Sequence, residues 1–364
     1  MSRRRFATRA VQAGLEPDPA YGSIVPAIHQ ASTFVQRAPG EVVEDYDYSR
    51  GANPTRSALE RALGELEGGL ATTFASGMAA EHAVITAAAA AGDHVVLPND
   101  LYGGTYRLID KILARFGLEY TMVDESDLDA VAAAVRPNTR LIWVETPSNP
   151  GLNVADIEEI VARRQQALVV VDNTFATPVY QRPLELGADA VVHSTTKYLG
   201  GHSDVIGGAA IVREQALHDA VRFVQKAVGA VPGPLDCFLV HRGIRTLHVR
   251  MAAHTENARA VSEWLRGVPG VSDVRWPGFG GMVSFRHPEA MRIAAATEVF
   301  ALAESLGGVE SLIELPQAMT HQSVEGSDAA VPADLIRLSC GIEAAEDLVE
   351  DLAQAIGAPE PAAL

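Results

Sequence analysis

One lysine, Lys197, follows an apolar stretch and is flanked by hydroxyl residues and a glycine-rich segment. The surrounding residues 188–208 read ADAVVHSTTKYLGGHSDVIGG. A lysine that forms a Schiff base must be able to lose its proton, and a phosphorylated cofactor needs hydroxyl and backbone donors near its phosphate. This segment combines the amine with the hydroxyl groups of residues 194–196. We therefore interpret Lys197 as the residue that captures a cofactor aldehyde, the alternative being a solvated lysine after a strand.

A carboxylate at the end of a second apolar run complements this lysine. The sequence ALVVVD over residues 167–172 is typical of a strand that is covered on both faces, and it ends at Asp172. Pyridoxal phosphate (PLP) withdraws electrons effectively while its ring nitrogen is protonated, and a facing aspartate stabilises that form. Taken with Lys197, Asp172 is therefore predicted to contact this nitrogen. Taken alone, it would be a turn residue or a helix N-cap.

A phosphate site is predicted where an alanine-rich helix begins. Residues Ser76, Gly77 and Met78 come directly before this helix, so their N–H groups are expected to point at an anion near its positive end. Ser194 and Thr196 would add hydroxyl donors. The alternative is that Ser76 makes an ordinary helix cap.

Tyr102 is the residue predicted to cover the cofactor ring. An offset aromatic stack would hold the ring, and the phenol could also move a proton. The alternative is a half-buried core tyrosine. A dinucleotide site is a competing use of this architecture, but no predicted strand is followed by the sequence GxGxxG.

These residues must be positioned by elements that alternate along the chain from Thr55. Such alternation predicts a mainly parallel sheet covered by helices on both faces, with ligands at the carboxyl ends of its strands. The predicted helices cover 58–68, 79–91, 105–117 and 155–166, and the predicted strands cover 94–98, 119–124, 140–145, 167–172 and 188–194. The predicted strand ends carry Asn99, Asp124, Glu145, Asp172 and Ser194.

The remaining patterns predict an arm and a second domain. Residues 2–44 lack sustained periodicity, which favours an extended arm. The sequence VPGP at 231–234 precedes one long helix predicted over 235–265, and further strands are predicted over 283–286 and 336–338. The predicted division is an arm over 1–50, a large cofactor-binding domain over 51–232 and a small C-terminal α/β domain over 233–364.

Composition narrows the class of partner. The chain has 364 residues and a net charge of -17, which argues against nucleic acid and anionic membranes as partners. The apolar stretch over 83–91 is too short to span a bilayer, and we expect a cytoplasmic location. Cys237 and Cys340 lack metal-ligand spacing, so we expect buried free thiols and no metal site.

Eight motifs, in order, make the chain resemble the cystathionine γ-lyases and γ-synthases, which are PLP-dependent transsulfuration enzymes. Together the motifs are specific, although each short pattern alone would not be. They are YDYSRGANPTR (46–56), LEGGLATTFASGMAA (66–80), YGGTYR (102–107), ETPSNP (145–150), VVDNTF (170–175), HSTTKYLGGHSDV (193–205), LAESLGGVESL (302–312) and IRLSCGIE (336–343).

The resemblance implies fold type I, the fold of aspartate aminotransferase, and PLP as the cofactor. It implies that Tyr48 and Arg50 bind the phosphate held by a neighbouring subunit, so the active site would be shared within a homodimer, and a homotetramer made of two such dimers is expected. It also implies that Asn149 contacts the ring hydroxyl of the cofactor and lies near the substrate.

The same resemblance implies a set of substrate-binding residues. Arg337 matches an arginine that binds the substrate α-carboxylate, a task that suits its planar pair of donors, although a structural salt bridge is the alternative. Ser305 is expected beside it. Arg107 resembles a position that holds a distal carboxylate, and Asp47 and Glu304 resemble positions near substrate amino groups.

The implied reaction is elimination at the γ carbon, with cystathionine giving cysteine, 2-oxobutyrate and ammonia. A γ-synthase, which would replace the substituent of O-succinyl- or O-acetylhomoserine by cysteine, is the alternative, and a PLP-binding protein without turnover is a further one. Gly104 stands where methionine γ-lyases usually have cysteine, which argues against that activity. The family usually has an additional segment between Gly278 and Phe279, and its absence here is expected to change access to the site or subunit assembly.

Overall fold

The computed structural model describes residues 4–18, 20–322, 326–327 and 329–358. Residues 1–3 and Pro19 of the predicted arm, and residues 359–364 of the predicted small domain, therefore lie outside the described residues. The α-helices are α1 (Phe6–Gln12), α2 (Pro54–Glu67), α3 (Gly77–Ala88), α4 (Gly103–Tyr106), α5 (Leu128–Ala134), α6 (Ile157–Arg163), α7 (Thr177–Tyr180), α8 (Gln215–Val228), α9 (Pro234–Ile244), α10 (Leu247–Leu265), α11 (Ala290–Ala294), α12 (Pro316–Met319) and α13 (Ala345–Ile356).

The residues predicted to do chemistry lie at the carboxyl ends of strands in a seven-stranded sheet. Its strands are β1 (Leu70–Phe74), β2 (His94–Pro98), β3 (Glu119–Val123), β4 (Thr139–Glu145), β5 (Leu168–Asp172), β6 (Ala190–Ser194) and β7 (Gly208–Val212), in the order β1-β7-β6-β5-β4-β2-β3. The pairings of β7 with β1 and with β6 are antiparallel, and the other four pairings are parallel, so the prediction of a mainly parallel sheet is confirmed. Strands β1 and β7 were not among the predicted strands.

Both faces of this sheet are buried. Val170 of β5 lies opposite Trp143 of β4, and both pack in a cluster with the apolar side of α3. Val169 and Val171 belong to another cluster, which includes Ile160 of α6. Because successive side chains of a strand point to opposite faces, a strand covered on both sides must be apolar throughout. This requirement leaves polar residues such as Asp172 for the strand end.

A second sheet of five strands follows in the chain. It consists of β8 (Ser272–Arg275), β9 (Met282–Arg286), β10 (Ala301–Leu302), β11 (Leu312–Glu314) and β12 (Leu335–Ser339), in the order β10-β11-β12-β9-β8. Helices α10, α11 and α13 cover it, with Phe285, Ile336 and Leu352 in the shared core. The predicted strands over 283–286 and 336–338 lie within β9 and β12.

Two helix predictions need correction. The single helix predicted over 235–265 is broken between α9 and α10, where the side chains of Thr246 and Arg250 donate to the Gly243 carbonyl at 3.1 and 2.8 Å. These side chains satisfy a carbonyl group at the end of α9, where the helix ladder stops. The regular helix predicted over 105–117 is one α-helical turn, a π-helix (Arg107–Ile112) and a 3-10 helix (Leu113–Phe116).

The predicted arm is partly helical. Helix α1 lies within it and is anchored by Ala10, which is buried, and by the Ala13 carbonyl, which is 2.9 Å from His241 Nε2. The segment after α1 is irregular and leaves apolar side chains in solvent, with Tyr21 93% and Val35 86% exposed. The prediction of an extended arm is therefore wrong for residues 6–12 and fits the segment that follows.

Two further sequence expectations concern burial and hydropathy. Cys237 and Cys340 are buried free thiols, as predicted. Within the described part of the chain, every helix is too short or too polar to cross a bilayer.

Candidate active site

A cleft of about 270 Å³ lies at the carboxyl ends of β4, β5 and β6. Glu145, Asp172 and Ser194 end these three strands and line it, while the second sheet contributes Arg337 of β12. The predicted site residues that line this cleft are Ser76, Gly77, Met78, Tyr102, Asn149, Asp172, Ser194, Thr196, Lys197, Glu304, Ser305 and Arg337.

Lys197 lies three residues after β6, with its side chain largely out of solvent. Its Nζ donates to Ser305 Oγ at 2.7 Å. Burial, and secondarily the positive charge of Arg337, lower the pKa of Lys197 to about 8. At pH 7 an amine with this pKa is neutral in roughly a tenth of the molecules, far more than an unperturbed lysine, so it can act as a nucleophile or a base.

Asp172 combines a turn contact with a position in the cleft. Its Oδ1 accepts the Thr174 N–H at 2.9 Å, as expected of a turn residue after a strand. Burial raises the pKa of Asp172, while the hydrogen bonds from Thr174 and the charge of His193 oppose that shift. The turn interpretation and the cofactor interpretation are therefore compatible, because one side chain meets both descriptions.

The start of α3 provides donors for an anion. Ser76 Oγ accepts the Ala79 N–H at 3.1 Å and so caps the helix, as the alternative interpretation had it. The N–H groups of Gly77 and Met78 have no acceptor among the described residues. A Cβ atom on Gly77 would lie 3.0 Å from the Cβ of Ser194, so this residue allows the helix to approach the end of β6. Free N–H groups at a positive helix end suit a phosphate.

Thr196 and Ser194 line the cleft near the start of α3, and their hydrogen bonds differ. Thr196 Oγ1 accepts the Gly207 N–H at 3.0 Å, which fixes the loop after β6. The Ser194 N–H donates to Thr174 Oγ1 at 2.9 Å, so the loops after β5 and β6 are tied together. The Ser194 hydroxyl has no hydrogen-bond partner in the described part of the chain and lines the cleft. It is available to a ligand.

Tyr102 is held at the cleft through its backbone. Its N–H donates to both carboxyl oxygens of Glu145, at 3.0 and 2.9 Å. A Cβ atom on Gly104 would lie 2.3 Å from Tyr102 Cε1 and 2.8 Å from Met78 Sδ, so a larger residue would displace the tyrosine ring. Burial raises the pKa of Tyr102. Its phenol therefore stays protonated and can donate a proton.

Arg337 lies in a buried network and still faces the cleft. Its Nη1 donates to Asn149 Oδ1 at 2.7 Å, and its Nη2 lies 2.9 Å from Glu314 Oε2 and 3.0 Å from the Ser305 carbonyl. Its buried Nε has no partner among the described residues. The structural salt bridge considered as an alternative is thus present, and two of the five N–H donors, on Nε and Nη1, remain for a ligand carboxylate.

Four predicted residues do not line the cleft of their own chain: Asp47, Tyr48, Arg50 and Arg107. Arg50 Nη1 donates to the Lys226 carbonyl at 2.7 Å, and Asp47 Oδ1 accepts the Tyr48 N–H at 2.6 Å. Arg107 is exposed at the start of the π-helix. The expected contact of Tyr48 and Arg50 with a neighbouring subunit stays a prediction, as do the substrate roles of Asp47 and Arg107.

Sequence reasoning did not assign several polar residues to the site. Glu81, Glu145, Thr174 and Thr320 line the cleft, and Glu314 pairs with Arg337 across neighbouring strands β11 and β12. Glu81 could have been found, because it is the one charged side chain in the sequence GMAAEHAVITAA when histidine is counted as neutral. The partner of Arg337 could not, because the pairing of β11 with β12 was unknown.

The connection after β8 is short and closed. Trp276 Nε1 donates to the Gly280 carbonyl at 3.1 Å, and the Phe279 ring centre lies 5.2 Å from that of Tyr180. The effect of this shortening on access and assembly stays a prediction.

Comparison with known proteins assigns the family. A family model described as Cys/Met metabolism PLP-dependent enzyme matches residues 7–357. The chain belongs to this family. The predicted resemblance, the predicted fold type I and the predicted cofactor are therefore confirmed.

Named relatives differ in their reactions. Cystathionine gamma-synthase of Mycobacterium tuberculosis is 52% identical over an alignment of 374 residues that covers 96% of each chain. Cystathionine beta-lyase of Lactococcus lactis is 46% identical, over 96% of this chain and 98% of that protein. The structure of cystathionine gamma-lyase from Lactobacillus plantarum, complexed with L-serine, matches with a TM-score of 0.94 and 40% identity, covering 98% of each chain. The chain is thus a PLP-dependent enzyme of the transsulfuration family.

The residues of the cleft fit PLP. Unpaired N–H groups at the start of α3 and the free Ser194 hydroxyl suit a phosphate. Asp172 is a buried carboxylate suited to a ring nitrogen, and the lowered pKa of Lys197 suits an amine that reacts with an aldehyde.

The assignment of Lys197 predicts where the cofactor attaches. The purified protein should be yellow, and borohydride reduction should fix PLP to the peptide that contains Lys197. The chain has three lysines, so peptide mapping by mass spectrometry can separate them. Lys197→Ala should lose the label, while the control Lys111→Ala, at an exposed lysine, should retain it. Label on Lys111 or Lys226 in the wild-type protein would refute the assignment.

Proposed function

We propose that this protein uses PLP to remove the substituent from the γ carbon of an amino acid of sulfur metabolism, such as cystathionine or O-succinylhomoserine. The observation that carries the proposal is the convergence of Lys197, Asp172 and Arg337 on one cleft. These side chains supply a base, a partner for the ring nitrogen and a carboxylate-binding group. Such a set is what chemistry at an amino acid requires.

The proposed cofactor contacts follow from the donors and acceptors in the cleft. The backbone at Gly77 and Met78, together with Ser194 and Thr196, binds the phosphate. Asp172 holds the protonated ring nitrogen. Tyr102 covers the ring, Asn149 contacts the ring hydroxyl, and Ser76 caps the helix whose positive end faces the phosphate. PLP, when bound, accepts electron density from the substrate α carbon, which makes the neighbouring protons removable.

Three side chains divide the remaining work. Lys197 Nζ, which donates a hydrogen bond to Ser305 Oγ at 2.7 Å, takes the α proton and then removes a proton from the β carbon. Arg337 binds the α-carboxylate, and its buried pairing with Glu314 at 2.9 Å keeps the guanidinium oriented. Tyr102, protonated because burial raises its pKa, gives a proton to the departing γ substituent.

Cleavage of cystathionine is the reaction expected from the sequence. Cystathionine and water would give cysteine, 2-oxobutyrate and ammonia. Arg107 and Glu304 would bind the distal part of this substrate. A gamma-lyase structure matches with a TM-score of 0.94, and a gamma-synthase structure matches with the same score, so structural likeness is compatible with this candidate without favouring it.

Replacement at the γ carbon is the second candidate. O-Succinylhomoserine and cysteine would give cystathionine and succinate. The 52% identity to a protein named cystathionine gamma-synthase favours this reaction. Both candidates share the first half of the chemistry, in which the γ substituent departs, and they differ in whether water or cysteine completes the reaction.

The deciding experiment uses PLP-loaded protein in two separate incubations. With cystathionine alone, a γ-lyase gives 2-oxobutyrate and cysteine, whereas a β-lyase gives pyruvate and homocysteine. With O-succinylhomoserine plus cysteine, a γ-synthase gives cystathionine and succinate. We expect 2-oxobutyrate or cystathionine as the main product and at least a 100-fold loss with Lys197→Ala. Pyruvate as the main product, or no turnover of either mixture, would contradict chemistry at the γ carbon.

We also propose that the protein works as a cytoplasmic homo-oligomer, with dimers that share active sites and assemble into tetramers. Tyr48 is 48% exposed and Arg50 is exposed, although the family resemblance assigns both to a phosphate. Arm residues such as Tyr21 and Val35 also leave large apolar side chains in solvent. A second copy of the chain would cover these groups.

Shared sites predict recovery of activity in mixed dimers. Arg50→Ala and Lys197→Ala should each be nearly inactive alone. In a mixed dimer, one of the two sites receives Lys197 from one chain and Arg50 from the other, so the isolated mixed dimer should have roughly half of wild-type turnover. Co-expression with two different affinity tags isolates this species, and turnover of the purified mixed dimer is measured. Verified mixed dimers without recovery would show that both residues serve the same subunit.

A further inference from the structure

A buried carboxyl group, Glu81, faces the cleft and has no role in the chemistry described above. It lies on α3, one turn after the proposed phosphate donors, and is 3% exposed. Its Oε2 has no hydrogen-bond partner, and no cation pairs with it, within the described part of the chain. A buried carboxyl group without such partners strongly favours its neutral form.

Several groups surround Glu81 from different elements. Asp172 at the end of β5 is the strongest charged influence on it, and Thr105 of α4 offers a hydroxyl. Glu145 at the end of β4 and Tyr102 before α4 are within electrostatic range of Glu81. On its own helix, the neighbouring residue is His82. Two cationic side chains, Lys197 and Arg337, line the same cleft as Glu81.

The two carboxyl groups are not equivalent. Asp172 accepts the Thr174 N–H at 2.9 Å and is close enough to His193 for that residue to favour its anion. For Glu81, the hydroxyl of Thr105 is the donor found among the described residues, and its effect on the pKa of Glu81 is smaller than those of burial and of Asp172. Two buried carboxylates that interact strongly do not both ionise at neutral pH, and the proton remains on the one whose anion is less stabilised. Hydrogen bonding therefore assigns the negative charge to Asp172 and the proton to Glu81.

We propose that Glu81 is a positioning residue. Because it keeps its proton, the pair formed by Glu81 and Asp172 carries one negative charge in the cleft, and that charge lies on Asp172. Burial, followed by the charge of Asp172, raises the pKa of Glu81 to about 8. Above that pH a second negative charge enters the wall. That charge further raises the pKa of Tyr102 and repels an anionic substrate.

The proton on Glu81 has a consequence for stability that does not depend on any activity. In the unfolded chain Glu81 ionises at its ordinary pKa of 4.5, whereas in the folded protein it keeps its proton to about pH 8. Between these values the folded state binds more protons, so this group lowers the stability of the fold as the pH rises. Above pH 8 both states are ionised and the effect is constant. Glutamine at this position does not titrate and would remove the effect.

The first test compares the unfolding temperature of the PLP-loaded wild-type protein with that of Glu81→Gln from pH 5 to pH 9. The unfolding temperature of the variant should rise relative to that of the wild-type protein as the pH rises, by about 4 °C between pH 5 and pH 8. Above pH 8 the difference should stay constant. A difference that is constant from pH 5 to pH 8 would overturn the proposal. Failure of Glu81→Gln to fold at pH 7 would also overturn it, because glutamine resembles the protonated acid.

The second test separates the effect of a buried carboxyl group on stability from the effect of Glu81 on turnover in the cleft. It rests on the proposed function. Glu125 is the control, since burial raises its pKa well above the ordinary value but it does not line the cleft. Glu125→Gln should show a similar gain in unfolding temperature. The ratio of Glu81→Gln turnover to wild-type turnover should rise about threefold or more between pH 7 and pH 9, while the ratio for Glu125→Gln should stay flat.

The outcomes of the two tests remain distinct. Turnover ratios for Glu81→Gln that do not change with pH would refute the positioning role. Absence of turnover in all three proteins would refute the proposed function, whereas the unfolding temperatures would still decide whether Glu81 carries a proton in the folded state.

Discussion

Burial of charged groups at the carboxyl edge of the parallel sheet is the constraint on which the site depends. Strands β4, β5 and β6 are apolar on both faces, so their polar side chains come together where the strands end. At that edge, low solvent exposure lowers the pKa of Lys197 and raises those of Asp172 and Glu145. The same burial that makes an amine reactive also makes unpaired carboxylates costly.

The second sheet balances part of this charge. Glu314 and Arg337 face each other in the register of β11 and β12 and form a buried ion pair, and Asn149 and Ser305 give the guanidinium further acceptors. Such a pair is a weak source of stability, because desolvation offsets the attraction. Its value here is geometric, since it orients a cation beside Lys197. The cleft therefore depends on side chains from both sheets.

The sequence was most informative where one physical requirement acts on a short segment. The continuous apolar run before Asp172 predicted a buried strand, and the residues before α3 predicted a helix end with free donors. Prediction failed where distant parts of the chain decide the outcome. The break between α9 and α10 depends on how Arg250 reaches the Gly243 carbonyl, and the partner of Arg337 depends on strand pairing. Strand β7 was missed because its first three residues, GAA, have low strand propensity and follow a glycine-rich loop.

The proposed chemistry depends most directly on Asp172, which would face the cofactor and hold its ring nitrogen protonated. The direct test is turnover of PLP-loaded Asp172→Asn, because asparagine keeps an oxygen for the Thr174 N–H and removes the charge. If Asp172 has this role, the variant should fold, retain PLP and lose turnover by about 100-fold or more. Near wild-type turnover of the variant would contradict this role and would leave Asp172 as a turn residue at the end of β5.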